Sequence, residues 1–223
     1  MLHSSGKPYF EETVKVASQV IPFKMNLIEG EIYHIFNRGN NREIIFPQQR
    51  NYQYFLHGIG KYVRPNCDIL AWCLMPNHFH LLIHANEFST SIIKDGSIDR
   101  QQFSQGIKQL LSSYAKAINK QQGRTGSLFQ QKTKGILVSD RKNNYALGAF
   151  HYIHQNPMKA ALIDKMEDWE FSSFNEYFQK TKNGLCNKRM AIELLDIDPS
   201  RFYQDSYLAQ KLLYPFEEGV LHF

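Results

Sequence analysis

Residues 74–85 read LMPNHFHLLIHA, and the fold turns on how they are read. Pro76-Asn77 is turn chemistry, flanked by two apolar runs of strand length, 67–75 before it and 78–85 after it. The pair reads as a β-hairpin. Alternate side chains of an extended strand share a face, so His78 and His80 project together while Phe79, Leu81 and Ile83 point the other way. Two neutral imidazoles side by side form a clamp for a divalent ion, with room for a third ligand and for substrate oxygens. His84 shares the face of His80 but sits four residues farther along, too far to join the same ion.

Outward from the hairpin, the chain alternates between periods. Residues 31–36 (EIYHIF) are β-branched and aromatic and stop at Asn37-Arg38-Gly39-Asn40-Asn41, a strong turn signal, so they read as a first strand. Between it and the hairpin, 48–63 carries Tyr52, Phe55, Leu56, Ile59 and Tyr62 at helical spacing. A polar connection over 86–96 leads to the longest helical signal, 100–121, with Ile107, Leu110, Leu111, Tyr114 and Ile118 on one face. A fourth strand follows at 133–138. Strand, helix, strand, strand, helix, strand is the order of a ferredoxin-like antiparallel sheet with two helices on one face, an α+β fold. A further helix, 141–156, is extra to that plan; Asp140 is its expected cap and Pro157 its expected end.

Composition narrows the function classes. From residue 100 to 142 there are nine basic residues against one acid, and from 161 to 223 eleven acids against seven bases. The basic middle reads as a surface for a polyanion, with a solvated helix face as the plainer alternative. Cys67, Cys73 and Cys186 are odd in number and lack metal-site spacing, so they read as thiols of a reducing, cytoplasmic setting. No apolar run approaches the roughly 18 residues of a membrane span. The expected division is an N-terminal extension (1–24), a main domain (25–177) and a C-terminal appendage packed on it (178–223).

On the extra helix, Ala146, Ala149, Phe150 and Ile153 form the expected buried stripe. Tyr152 and Asn156 lie one turn apart on one flank, and His154 lies on the other. Asn156 can offer an amide oxygen to an ion held by His78 and His80, which puts the Tyr152 hydroxyl about one turn, roughly 5 Å, away. A tyrosine beside a divalent ion and a basic surface is a candidate nucleophile for a phosphodiester. A packing tyrosine and a helix-terminal asparagine are the plainer readings of the same two residues, as buried or surface roles are for His34, His151 and His154. Two imidazoles, an amide and phosphate oxygens suit Mg²⁺ or Mn²⁺ better than a closed zinc site. Arg38, Lys132, Lys134 and Lys159, at strand ends or beside the extra helix, are candidate phosphate contacts. Trp72, Phe129 and Tyr145 are candidates for stacking on unpaired bases, with burial in the core as the alternative.

Five separated blocks, YHIFNRGNNR, WCLMPNHFHLLI, GSLFQQKTKGILV, YIHQNPMKAALI and DWEFSSFNEY, resemble those of the REP-associated tyrosine transposases. That family belongs to the HUH single-tyrosine transposases of the insertion-sequence 200-like class. The resemblance covers about residues 33–177. It implies an enzyme that cuts and rejoins single-stranded DNA next to short hairpins through a 5′-phosphotyrosine link, with a free 3′-hydroxyl as the other product. By position it implies His78 and His80 as metal ligands, Asn156 as the third ligand and Tyr152 as nucleophile. Ala161 stands where the family pattern has glycine. The partner expected is single-stranded or hairpin DNA, bound by a monomer or homodimer. The rivals are a non-catalytic single-stranded nucleic-acid-binding module and a hydrolase that activates water with Tyr152 merely structural.

Overall fold

A computed structural model describes residues 26–139, 144–179 and 184–209. In chain order the principal elements are β1 (Ile32–Arg38), α1 (Gln49–Gly58), β2 (Asp68–Met75), β3 (His78–His84), α2 (Glu87–Thr90), β4 (Ile92–Asp95), β5 (Ile98–Gln101), α3 (Gln102–Gln122), β6 (Lys134–Leu137), α4 (Tyr145–Lys159), α5 (Phe174–Phe178), α6 (Lys188–Leu195) and α7 (Phe202–Leu208). The main sheet has the order β2-β3-β1-β6, and every pairing is antiparallel. With α1 and α3 on one face, this is the ferredoxin-like plan expected from the sequence.

The period-2 pattern divides the core in two. Tyr33, Ile35, Phe79, Leu81 and Ile83 face α1 and α3, where they meet Phe55, Phe103, Ile107 and Tyr114. Ile32, Phe36, Leu82 and Ile136 face the opposite way, toward α4 and the C-terminal helices. A register shift between Ile69 and Ala71 in β2 offsets its alternation, so that Leu70, Ala71, Cys73 and Met75 join the second core while Trp72 and Leu74 join the first. All three cysteines are free, and Cys67 and Cys73 are buried. Among the described residues no helix is long and apolar enough to cross a membrane.

Four expectations change. The polar connection 86–96 holds structure: Asn86 caps α2 with a reciprocal box to Ser89, and β4 pairs with β5 as a separate hairpin. Ile92 and Ile98 remain exposed there, so no buried face marked the hairpin in advance. The helix expected over 48–63 widens into a π turn at Ile59–Val63. The long helix begins at Gln102, because residues 98–101 are taken by β5.

The extra helix departs furthest. Pro157 lies inside α4, which continues to Lys159. The ring removes only the bond to Ile153 O, and the following turns remain bonded through Ala160 N to Asn156 O and Leu162 N to Pro157 O. Instead of a stripe, α4 is buried without a break from Ala149 to Pro157. The sheet covers one side, and Phe174, Tyr177 and Phe202 cover another, with the Phe150 ring 5.0 Å from that of Tyr177 and 6.1 Å from that of Phe202. The proposed Asp140 cap falls outside the described residues.

A buried carboxylate ties the C-terminal segment to the sheet. Glu176 accepts from Trp72 Nε1 (2.7 Å) and from the backbone amides of Leu185 (3.1 Å) and Cys186 (3.0 Å). Removing it strands the buried Trp72 Nε1 and two half-buried amides, so Glu176→Ala is expected to cost on the order of 3 kcal/mol. Urea unfolding monitored by circular dichroism measures this; a change below about 0.5 kcal/mol would show that the segment is held by apolar contact alone.

Candidate active site

The site grows from the pairing of β1 with β3, which sets Arg38 opposite His78, Phe36 opposite His80 and His34 opposite Leu82. Directly opposed residues share a face, so these side chains all look toward α4. The His78 and His80 rings lie 4.9 Å apart and nearly perpendicular. His78 Nδ1 is 2.6 Å from Asn77 Oδ1. An amide oxygen only accepts, so His78 carries its proton on Nδ1 and keeps the lone pair on Nε2. His80 Nδ1 is 2.8 Å from His34 Nε2. His80 Nε2 is buried with no hydrogen-bond partner among the described residues.

All three imidazoles are held neutral. Burial pushes His78 down to about 3, with the Arg38 charge adding to it, and pushes His34 to about 3, with His78 adding. Burial also drives His80 well below the ordinary imidazole range, with His78 and then His34 contributing. Neutral rings are what an ion requires, since a protonated nitrogen cannot ligate.

From the other side, α4 brings the Tyr152 ring edge-on to His80, 5.9 Å between centroids, and to His34 at 6.1 Å. Asn156 lies one turn farther along and is buried. Its Nδ2 donates to Tyr152 O (3.0 Å), which leaves Oδ1 as the atom it can offer to an ion. Lys159 Nζ stands 5.1 Å from the Tyr152 ring centre, a cation over the candidate nucleophile.

The remaining basic residues gather at the rim. Arg38, Lys132 and Lys134 line one recess of about 10 Å³ together with Phe36, Asn37, His78 and Gln130. The 130–134 segment is held there by Asn37, whose Nδ2 donates to Gln130 O (3.2 Å) and Thr133 Oγ1 (3.0 Å), and by Gln130 N donating to Arg38 O (2.9 Å). Lys134 Nζ sits 5.7 Å from the Phe36 ring centre. A larger cavity, about 290 Å³, opens between α3 and residues 127–133, and no histidine lines it.

Neutral imidazole nitrogens and an amide oxygen are donors that a divalent ion accepts. Among the described residues the buried His80 Nε2 has no hydrogen-bond partner, and His78 keeps a lone pair on Nε2. Among the described residues no three His, Cys, Asp or Glu side chains form a closed cage.

Other candidates fall elsewhere. His84 Nδ1 lies 3.7 Å from Asp68. His154 Nε2 pairs with Ser173 Oγ (2.7 Å) on the far side of α4, and His151 is buried near it. Trp72 and Phe129 are core residues rather than stacking platforms, and Tyr145 is half-buried at the start of α4. The residue sequence reasoning undervalued is His34. Its parity on β1 was visible and the ferredoxin-like plan sets β3 beside β1, but the register that places His34 diagonal to His80 is in no local pattern.

No family model matches the chain. A Haemophilus influenzae protein whose provisional name is REP-associated tyrosine transposase is 26% identical over 108 residues, 48% of this chain and 59% of the relative. The chain thus matches less than two thirds of that relative's length. A solved structure of a REP-associated tyrosine transposase bound to a REP hairpin superposes with a TM-score of 0.52 at 20% identity, covering 71% of this chain and 85% of that one. At that identity the structural likeness speaks for the fold alone. In sequence and in fold, this chain is similar to the REP-associated tyrosine transposases.

Proposed function

We propose that the protein is a metal-dependent endonuclease and strand transferase acting on single-stranded or hairpin DNA, with Tyr152 as its nucleophile. The observation that carries this reading is the approach of the Tyr152 ring to His80, on the sheet face where His78 and a cationic rim also lie. His78 Nε2, His80 Nε2 and Asn156 Oδ1 would hold the ion. When bound, it supplies Lewis-acid polarisation of the scissile phosphate.

The chain's own residues do the rest. Arg38, Lys132 and Lys134 bind the DNA backbone and set its register without reading sequence. Tyr152 Oη forms a bond to the scissile phosphorus while the bond from phosphorus to the 3′ oxygen breaks. The 3′ oxygen leaves with the electron pair and is protonated, and the tyrosine proton passes to solvent. Lys159, over the Tyr152 ring, favours the developing phenolate. Attack by a 3′-hydroxyl on the tyrosyl phosphate reverses the step and joins strands.

Labelled hairpin DNA incubated with the protein and Mn²⁺ is expected to give an adduct that survives a denaturing gel. Binding without an adduct or cleavage would favour a non-catalytic module. The rim makes a separate prediction. Arg38→Ala, Lys132→Ala and Lys134→Ala should each weaken binding of unrelated hairpins to similar degrees and lower the magnitude of the salt slope by about one, measured by fluorescence anisotropy against salt concentration. An unchanged slope in all three would remove these residues from the interface.

A further inference from the structure

We infer that His34 is a positioning residue for the ion site: it accepts the Nδ1 proton of His80 and thereby keeps the His80 Nε2 lone pair turned toward the ion. The inference rests on the metal reading above and adds to it a member that is not itself a ligand.

The geometry is specific. His34 and His80 are diagonal neighbours across β1 and β3, since His34 pairs with Leu82, two residues beyond His80. Both side chains are buried, at 2% and 0% exposure. Their rings lie 5.0 Å apart with 30° between planes, and the nitrogens are 2.8 Å apart, a full hydrogen bond. Only two arrangements of the shared proton exist for neutral rings. If His34 Nε2 donates, His80 carries its own proton on Nε2, where no acceptor stands among the described residues and no ion can bind. If His80 Nδ1 donates, its Nε2 is a lone pair, which is the form an ion selects. An imidazole ligand whose second nitrogen is bonded in this way is held in one tautomer and one ring orientation, and it is more basic toward the metal.

The pair also has a parallel within the same site. His78 donates from Nδ1 to Asn77 Oδ1, the same kind of bond with a different acceptor. Each ligand of the clamp therefore has its own acceptor behind it, one an amide in the hairpin turn and the other an imidazole on the neighbouring strand. His34 further touches Tyr152 edge-on at 6.1 Å, so a change at His34 is felt by both halves of the site.

Isothermal titration calorimetry of the DNA-free protein with Mn²⁺ tests this, comparing wild type with His34→Ala, His34→Gln and His34→Phe. His34→Ala and His34→Phe are expected to weaken Mn²⁺ binding 10- to 100-fold. His34→Gln, which retains an acceptor oxygen, is expected to recover at least part of that loss. Thermal denaturation with EDTA reports whether each variant is folded, and affinities are compared only among folded variants. Should wild type bind Mn²⁺ and all three variants bind it equally well, the positioning role is wrong while the metal reading stands. Failure of wild type itself to bind Mn²⁺ would remove both. Equal losses in His34→Gln and His34→Phe would assign His34 to packing alone and overturn the inference. Where alanine unfolds the protein, the comparison of glutamine with phenylalanine decides alone, since only the former keeps an acceptor for the His80 Nδ1 proton.

Discussion

Tyr152→Phe is expected to abolish the covalent DNA adduct, a loss of about 10³-fold or more, while leaving DNA binding and the fold intact. The ring is what packs: it stands edge-on to His34 and His80 with Lys159 above it, and phenylalanine preserves each of those contacts. Only the oxygen that would bond to phosphorus is lost. The informative comparison is between adduct on a denaturing gel and cleavage of the same labelled hairpin. Cleavage that persists at wild-type rate in Tyr152→Phe would assign the attack to water and reduce the tyrosine to packing.

The second large effect concerns acid. Five imidazoles, those of His34, His78, His80, His151 and His154, are buried, and in each burial is the leading cause of a lowered pKa. His34 and His78 fall to about 3 and His151 to about 4. A base whose folded pKa is depressed stays neutral in the native state while the unfolded chain takes up a proton below about 6.5. Its contribution is therefore complete above pH 6.5 and is lost as pH falls toward the folded value. Each such group removes up to about 1.4 kcal/mol per pH unit in that window. In EDTA, the urea midpoint should be flat from pH 8 to 7 and drop steeply from pH 6 to 4, with unfolding before the lower pKa values are reached. A midpoint unchanged between pH 7 and 5 would mean that these rings charge in the folded protein, contrary to their burial.

Much of this architecture could be read from local pattern. The HxH pair on a strand, the turn before it and the alternation of periods were enough to place the sheet and two covering helices. What escaped was set by tertiary contact. β4 and β5 carry exposed isoleucines among charges, so neither alternation nor burial distinguished them from a loop. Pro157 is an ordinary helix stop unless both flanks of the helix are packed, and the residues that pack the outer flank, such as Phe202, come much later in the chain. His34 likewise looked like any strand histidine, because its neighbour comes from another strand and a register that only the assembled sheet defines.

The enclosure of α4 bears on how the two halves of the site come together. Both layers around it, the sheet on one side and the C-terminal helices on the other, belong to the same polypeptide. Lending this helix to a second copy would mean opening two apolar seams at once and breaking the bond from Gln155 Nε2 to Ser206 O. Within the chain, α4 is thus an inlaid beam fixed on two sides, and it holds the Tyr152 ring 5.9 Å from that of His80.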